Sequence, residues 1–371
     1  MRLIVERQKL TLSVFTADVG GFVGHVSSHP DILDTAKERL YIAREKGFIV
    51  DFHVLRCGDD LELIITHRSG CANSGVHELV WNTFNACKEV SMDLGLYAHD
   101  RGLSSRDFTG SVKLMGPGAA EVEFMERGSE PVLVLMSNKT STGSWNLPVY
   151  RVYADPFNTS GLVLDPSMAE GFSFTVLDIE QNSEITLQAP KELHSLLALI
   201  GSTSRYVVTS VRRNTDNEIA CVVASQKLNM SGERAASKCE PAVIMRCHDG
   251  LPSVGEAMEA FAHPYLVEGW MRGAHTGPLM PVPFYEANPT RFEGPPRAIG
   301  AGFQITDGRL IGPHDMFDDP SFDETRRVAN NVTDYLRRHG PFQPHRMSWA
   351  ELERTGPSPV ADKLKERFEK L

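Results

Sequence analysis

Residues 10–21 read Leu10-Thr11-Leu12-Ser13-Val14-Phe15-Thr16-Ala17-Asp18-Val19-Gly20-Gly21, and the expected fold is built outward from this stretch. Its first seven residues alternate and are rich in β-branched and aromatic side chains, which predicts a strand over 10–16. The two glycines after Asp18 predict a turn where the backbone can approach a ligand closely. The stretch therefore predicts a strand that delivers a carboxylate to a tight turn.

The segments that follow alternate between helical and strand patterns. Apolar residues at helical spacing, closed by Gly47 and Gly95, predict helices over 31–46 and 74–94. Strands are predicted at 48–55 and 61–66, on either side of Gly58-Asp59-Asp60. The remaining predicted strands lie within 112–136 and at 172–178, 184–188, 205–213, 218–227 and 242–247. The remaining predicted helices lie near 190–200 and at 254–262 and 322–339.

Two regions lack a clear period. Residues 140–171 are rich in turn formers, and 263–320 carry many prolines and glycines, so both are predicted as irregular. A loop of that length in a compact chain is more often functional than idle. Strands in hairpin-like pairs with helices in two groups predict the α+β class. We expect one domain over 1–371, with a core of about 10–345 and a tail of 346–371.

Composition narrows the function classes. The chain has 371 residues and a formal net charge of −10, from 48 acidic and 38 basic residues. No broad positive surface exists to neutralise phosphates, so we expect no nucleic-acid partner, although a local pocket for a small phosphorylated substrate is compatible. Six cysteines without a CxxC pair predict reduced thiols in the cytoplasm. No signal peptide and no apolar window approaching ~18 residues is found, so no membrane contact is expected.

Several polar residues are candidates for a site. Asp59 and Asp60 follow a glycine between two predicted strands, where they either bind a hard cation or form an ordinary solvated turn. Asn138-Lys139-Thr140 ends a buried run, as a site or as a simple turn. Lys238 precedes a strand in a polar loop; a nucleophilic lysine needs a lowered pKa, whereas most such lysines are solvated. Arg272 and Arg291 sit among rigid or small residues, which suits phosphate binding or a loop salt bridge.

Taken together, these blocks resemble the archaeal-type fructose-1,6-bisphosphate aldolase/phosphatase family. The resemblance runs from about residue 10 to the last helix. The matching blocks are 17–21 with Gly24-His25 and His29-Pro30-Asp31, Gly58-Asp59-Asp60-Leu61, Gly116-Pro117-Gly118, Tyr153-Ala154-Asp155-Pro156-Phe157-Asn158-Thr159, Gly269-Trp270-Met271-Arg272-Gly273, 291–297 and 317–327.

The resemblance implies a fold, a reaction and an assembly. It implies a single-domain four-layer α-β-β-α sandwich that forms a homo-octamer and uses Mg²⁺. It implies that a lysine Schiff base joins two triose phosphates, after which the 1-phosphate is hydrolysed in the same pocket. The metal positions it implies are Asp18, His25, Asp59, Asp60, Asn138 and Glu240. The catalytic positions are Lys238 and Glu240, and the substrate or phosphate contacts are His25, Tyr97, Gly110, Ser111, Lys139, His248, Arg272, Glu293 and Arg354.

Six positions or residue pairs depart from the family pattern. Asn138 replaces a metal-binding aspartate, and Cys239-Glu240 replaces a pair of aspartates. A thiol and an amide are weaker Mg²⁺ ligands than carboxylates, so we expect fewer bound ions. Ala235 replaces the proton-transferring tyrosine, for which water, His248 or Glu240 is the expected substitute. The remaining departures are Asp100 or Arg101 for a glutamine ligand, Glu293 for an aspartate and Arg354 for a phosphate-binding tyrosine.

Three hypotheses follow from the mixture of retained and altered residues. The first is a divergent aldolase that keeps Lys238 chemistry on a sugar phosphate, with phosphatase activity reduced. The second is a working Mg²⁺-dependent bifunctional enzyme of gluconeogenesis. The third is a non-catalytic protein that retains a phosphate-binding pocket.

Overall fold

The computed structural model describes residues 9–22, 26–96, 117–138, 140–224, 226–227, 242–271, 274–288 and 294–338. Strands within these ranges form two large antiparallel-rich sheets and one small hairpin. The first sheet contains β1 (Lys9–Asp18), β2 (Asp51–Cys57), β3 (Asp60–His67), β4 (Gly118–Met125) and β10 (Gln226–Lys227).

The first sheet has the strand order β10-β4-β1-β3-β2. The opening stretch of the sequence is its central strand, because β1 pairs with β3 on one side and β4 on the other. In this register Asp18 lies directly opposite Asp60, and Thr16 lies opposite Gly118. The predicted turn carboxylates therefore meet at one end of this sheet.

The second sheet has the order β14-β15-β5-β11-β9-β8-β6-β7, with β16 added on β15. Asn138, the last residue of β5, lies opposite Arg297, the first residue of β15. Its strands are β5 (Glu130–Asn138), β6 (Phe172–Asp178), β7 (Ser183–Ala189), β8 (Tyr206–Arg213), β9 (Ile219–Val223), β11 (Ala242–Arg246), β14 (Met280–Pro281), β15 (Arg297–Thr306) and β16 (Arg309–Asp315). The separate hairpin pairs β12 (Leu266–Met271) with β13 (Ala274–Pro278).

Helices cover the sheets. They are α1 (Pro30–Glu45), α2 (Ser74–Asp93), α3 (Asn146–Ala154), α4 (Gly161–Leu164), α5 (Leu193–Ile200), α6 (Val254–Glu259) and α7 (Asp323–Arg338). The α1 helix begins at a proline and buries Ile32, Ala36 and Leu40, which recur at helical spacing. A search of the described helices finds none that combines the length and the apolar content needed to cross a bilayer.

Three buried clusters show where these elements pack. One joins α1 and α2 to the first sheet, through residues such as Ile32, Val80 and Leu63. A second mixes side chains of both sheets, with Leu12 and Val14 of β1 beside Val134 of β5. The third joins the second sheet to α3, α5 and α6. The α+β prediction is confirmed, and the four-layer arrangement within one domain stays a prediction that these clusters support.

Two sequence predictions of irregular structure are wrong. Residues 140–171 contain the nine-residue helix α3, and 263–320 contain five strands, β12 to β16. Glycines obscured the strand pattern of β15. A Cβ at Gly302 would lie 2.5 Å from Met316 Sδ, so a larger residue here would require the Met316 side chain to move.

Candidate functional site

The carboxylate turn, which we define as Gly58-Asp59-Asp60, lies between β2 and β3. Gly58 has a φ of +64°, a conformation that L side chains rarely adopt. A Cβ on Gly58 would lie 2.6 Å from the carboxamide of Asn138, so the missing side chain lets the two sheets approach here. Asp59 and Asp60 are both buried, and Asp18 faces Asp60 across the β1–β3 pair. Three acidic residues are thus gathered at one end of the sheets.

Asn138 joins this turn to the second sheet. Its Nδ2 donates to Asp60 Oδ2 at 2.8 Å and to Asp59 Oδ1 at 3.2 Å. The amide is buried and carries both of its hydrogens to carboxylate oxygens. A neutral donor therefore lies against the carboxylates at the position where the family resemblance places an aspartate.

The loop after Asp18 closes over the same turn. Gly20 N–H donates to Asp18 Oδ1 at 2.9 Å, and a Cβ on Gly21 would lie 2.8 Å from Asp59 Cβ. Ser28 Oγ donates to the Asp59 carbonyl at 2.8 Å, and Ser28 N–H donates to the Gly58 carbonyl at 3.3 Å. Of the two glycines predicted as a turn, Gly21 is thus required by close packing on Ser27 and Asp59, and Gly20 has a φ of +99°.

Two charged residues near this turn were missed in the sequence. Glu62 is fully buried one alternation step beyond Asp60, and the Asp60-Leu61-Glu62 alternation could have indicated that both carboxylates share a face. Lys88 of α2 is also buried; burial lowers the pKa of this lysine, and the charge of Asp18 opposes that shift. The helical pattern of α2 predicts only a structural element, so the sequence does not single out Lys88.

The Cys57 thiol lies beneath the turn. Burial raises the pKa of Cys57 well above its usual range, and the charges of Glu62 and Asp60 raise it further. Its Sγ donates to the Arg297 carbonyl at 3.6 Å. Cys57 is therefore a packing residue of the site's floor rather than a nucleophile.

One end of both sheets, which we call the carboxylate end, carries Asp18, Asp60, Asn138 and Arg297. Five segments outside the described residues begin or end beside it. Residues 228–241 lie between Lys227, opposite Gly118, and Ala242, opposite Met136. Residues 97–116 lie between the end of α2, where Ser91 Oγ donates to the Val19 carbonyl at 2.7 Å, and Gly118. Residues 23–25, Lys139 and residues 289–293 follow Phe22, Asn138 and Asn288.

Most predicted contacts fall in those segments or in the C-terminal tail. The predicted residues that lie outside the described part of the chain are His25, Tyr97, Gly110, Ser111, Lys139, Lys238, Glu240, Arg272, Glu293 and Arg354, together with Ala235 and Cys239. The described residues do bring Asp18, Asp59, Asp60 and Asn138 together.

His248 is not brought to this group. It follows β11 beyond Arg246, which pairs with Val132, whereas Ala242 at the other end of β11 pairs with Met136 near Asn138. Its side chain is exposed, its φ is +64°, and its carbonyl accepts from Arg127 Nη1 at 2.8 Å. Within one chain, His248 therefore lies at the end of the second sheet opposite to the carboxylates.

The donor chemistry of the turn suits Mg²⁺ in kind. Carboxylate oxygens are the hard ligands that this ion prefers, and Asp18, Asp59 and Asp60 supply them. Within the described ranges, however, no three His, Cys, Asp or Glu side chains are arranged so that they could hold a metal ion. A complete ligand set would need residues from the neighbouring segments.

Comparison with known proteins supports the family resemblance inferred from the sequence. The family model described as fructose-1,6-bisphosphatase matches residues 9–369. A fructose-1,6-bisphosphate aldolase/phosphatase of Sulfurisphaera tokodaii is 51% identical over 362 residues, covering 98% of this chain and 94% of the relative. Similarly named proteins of Moorella thermoacetica and Methanothermobacter marburgensis are 50% and 48% identical, covering 98% of this chain and 95% and 100% of their own lengths. The chain belongs to the fructose-1,6-bisphosphate aldolase/phosphatase family.

Proposed function

We propose that this chain is a sugar-phosphate aldolase of the fructose-1,6-bisphosphate aldolase/phosphatase type, with Lys238 as its Schiff-base residue. One observation carries the proposal: the described residues on both sides of residues 228–241, Lys227 and Ala242, lie at the carboxylate end. Lys238 precedes Ala242 by four residues in the sequence, and both flanking residues, Lys227 and Ala242, lie near Asp18 and Asn138. The names of relatives at about half identity support the same activity.

Lys238 would act by attacking the ketose carbonyl. Its neutral Nζ forms a bond to the carbonyl carbon, the oxygen leaves as water, and an iminium links enzyme and substrate. Nucleophilic attack requires the unprotonated amine, so the site must lower the pKa of Lys238. Glu240, two residues away, is the proposed acid–base partner, since Ala235 has no side chain that transfers protons.

Borohydride trapping tests this proposal. Reduction in the presence of dihydroxyacetone phosphate or fructose 1,6-bisphosphate should attach the substrate carbon skeleton to Lys238, as located by peptide mass spectrometry. Lys238→Met should abolish the adduct, whereas Lys191→Met, at an exposed site on the turn before α5, should not. Folded protein that binds sugar phosphate in calorimetry but forms no adduct would instead be a non-catalytic phosphate-binding paralogue.

Mg²⁺ is the proposed cofactor, in fewer copies than the family pattern implies. Asp18, Asp59 and Asp60 would hold it, with His25 and Glu240 as further ligands. When bound, it would supply positive charge to phosphate oxygens. Asn138 would hold the carboxylates of the turn in place by donating to both of them, without adding negative charge to the site.

Phosphate hydrolysis is the second candidate activity, and the grouping of three carboxylates favours it. We expect slow Mg²⁺-dependent phosphate release from fructose 1,6-bisphosphate, because an amide replaces one anionic ligand. Asn138→Asp should increase that rate and lower the Mg²⁺ concentration needed for half-maximal rate. Asn217→Asp, in the turn between β8 and β9, is the matched control and should leave both unchanged. Rapid release by the unmodified protein would favour the full bifunctional activity.

The proposed assembly is a homo-octamer. Phe157, Val163 and Leu164 project from the surface, with Phe157 99% exposed, as expected for side chains that another subunit could cover. Sedimentation equilibrium should give eight times the 41.1 kDa chain mass. A monomer at micromolar concentration would refute the assembly and leave the aldolase proposal standing.

A further inference from the structure

Arg56 joins two loops behind the carboxylate turn. It is the penultimate residue of β2 and is half-buried. Its Nη1 donates to Ser27 Oγ and to Asn288 Oδ1. Ser27 directly precedes Ser28, which bonds to Gly58 and Asp59, and Asn288 directly precedes residues 289–293. One nitrogen therefore connects the loop after Asp18 with the segment before β15.

Arg297 holds the same segment from the second sheet. Its Nη1 donates to the Glu286 carbonyl, while the Arg297 carbonyl accepts from Cys57 Sγ at 3.6 Å. Between these contacts, Gly58 N–H donates to the Ala287 carbonyl at 2.7 Å. Three consecutive residues, 286–288, are thus bonded in turn to Arg297, to Gly58 and to Arg56.

Burying the guanidinium groups of Arg56 and Arg297 costs hydration free energy, which their hydrogen bonds must offset. Burial lowers the pKa of Arg56 and of Arg297, which means that both guanidiniums lose hydration in the folded protein. The hydrogen bonds described above for both guanidiniums go to neutral oxygens. The backbone of Arg297 is paired with that of Asn138, the residue that contacts both carboxylates.

We propose that Arg56 and Arg297 are positioning residues that clamp the carboxylate turn between the Ser27 loop and residues 286–288. The clamp fixes the positions of Ser27 and Asn288 relative to Asp59 and Asp60. The structural half of this inference is independent of the proposed aldolase activity, and its catalytic half rests on that activity.

Hydrogen–deuterium exchange tests the clamp directly. Arg56→Met keeps the apolar stem but removes every donor, so the amides of Phe22, Ser28 and Gly58 should exchange about tenfold faster. Arg56→Lys retains an N–H donor on a side chain one atom shorter and should give an intermediate rate. Arg44→Met is the matched control, since Arg44 contacts Asp51 at the opposite end of β2 and should leave these amides unchanged.

The outcomes separate the clamp from the proposed function. The whole inference is supported if exchange accelerates only at those three amides and the Lys238 adduct forms fastest with Arg at position 56, more slowly with Lys and most slowly with Met. Unchanged exchange in Arg56→Met, or equal acceleration throughout β6 and β8, overturns the clamp even if the adduct forms normally. Localised acceleration in Arg56→Met, together with no adduct even in the unsubstituted protein, upholds the clamp and rejects the aldolase activity.

Discussion

At the residue scale, the site depends on two glycines whose lack of a side chain leaves space for neighbouring residues. Gly58 leaves the space that the carboxamide of Asn138 fills, and Gly21 leaves the space that Asp59 Cβ fills. Both positions bring backbone of one segment against a side chain that the site uses. Adding one methyl group at either glycine is therefore expected to displace Asn138 or Asp59 and so to change the reactivity of the site.

Gly58→Ala tests this expectation. The positive φ should cost about 1–2 kcal/mol of folding free energy, and the added Cβ should also push the Asn138 amide away from Asp59 and Asp60. Gly47→Ala has a similar φ of +69° but nothing within 4 Å of the added Cβ. Urea denaturation should show a loss in both variants, while only Gly58→Ala loses borohydride-trapped adduct. Equal adduct in the two variants would contradict the role given to Gly58.

At the element scale, the end of the second sheet opposite to the carboxylates holds a buried ion network. Glu130 of β5 accepts from Arg246 Nε at 2.9 Å and Nη2 at 2.8 Å, and from Arg127 Nη2 at 2.6 Å. Arg246 also lies 4.3 Å from the ring centroid of Phe124 and donates to the Ile219 carbonyl at 3.0 Å. The network ties β5, β11, β9 and β4 together and is expected to stabilise the junction of the two sheets.

Glu130→Gln should destabilise the fold by about 3 kcal/mol at pH 7, because it removes the fully buried one of the two carboxylates that pair with Arg246 and leaves only the partly exposed Glu218. Burial would raise the pKa of Glu130, but the hydrogen bonds and charges of Arg246 and Arg127 outweigh it and lower that pKa. A lowered folded-state pKa stabilises the fold above about pH 4.3, the unfolded value, and that contribution is lost as pH falls through the folded value.

The measurement is chemical denaturation of both proteins between pH 7 and pH 3. The stability difference between the native protein and Glu130→Gln should be largest near neutrality and shrink below about pH 4.3. Glu324→Gln, which alters an exposed pair with Arg327 on α7, is the control and should show no resolvable difference. A difference that stays constant with pH would show that the Glu130 charge is not responsible.

The elements themselves were predicted unevenly, for physical reasons. Strand β6 was predicted with its observed bounds, 172–178, and α7 within one residue at each end, because periodic burial marks both. Strand β15 was missed because its glycines, which lie against Met316, look like loop residues. The grouping of Asn138 with Asp59 was not readable from spacing, since 79 residues separate them and only sheet packing brings them together.

At the scale of the whole molecule, the described cysteines differ in burial, and we expect their thiols to differ in reactivity accordingly. Burial raises the pKa of Cys87 and of Cys247 to about 12, and it also raises the pKa values of Cys57 and Cys221. Cys71 is exposed, in the turn before α2. Since alkylation requires an accessible thiolate, the fold should protect every described cysteine except Cys71.

Peptide-mapped alkylation at pH 8 checks that expectation. Iodoacetamide should modify Cys71 within minutes in the folded protein, whereas Cys57, Cys87, Cys221 and Cys247 should react only after urea unfolding. Cys71→Ser should remove the fast reaction from the described cysteines without changing the denaturation midpoint. Rapid labelling of Cys221 in native protein would mean that the helix-covered core of the second sheet opens easily.

The carboxylate end has a further consequence for how this fold can change. Lys227 and Ala242, the described residues on either side of residues 228–241, are each paired with a neighbouring strand, Lys227 opposite Gly118 and Ala242 opposite Met136, so we expect both sheets to tolerate changes in the sequence between them. Transplanting the corresponding segment of a relative should leave both sheets intact while altering reactivity. The Glu130 network, at the opposite end of the second sheet, is expected to keep these strands paired while the sequence between Lys227 and Ala242 changes.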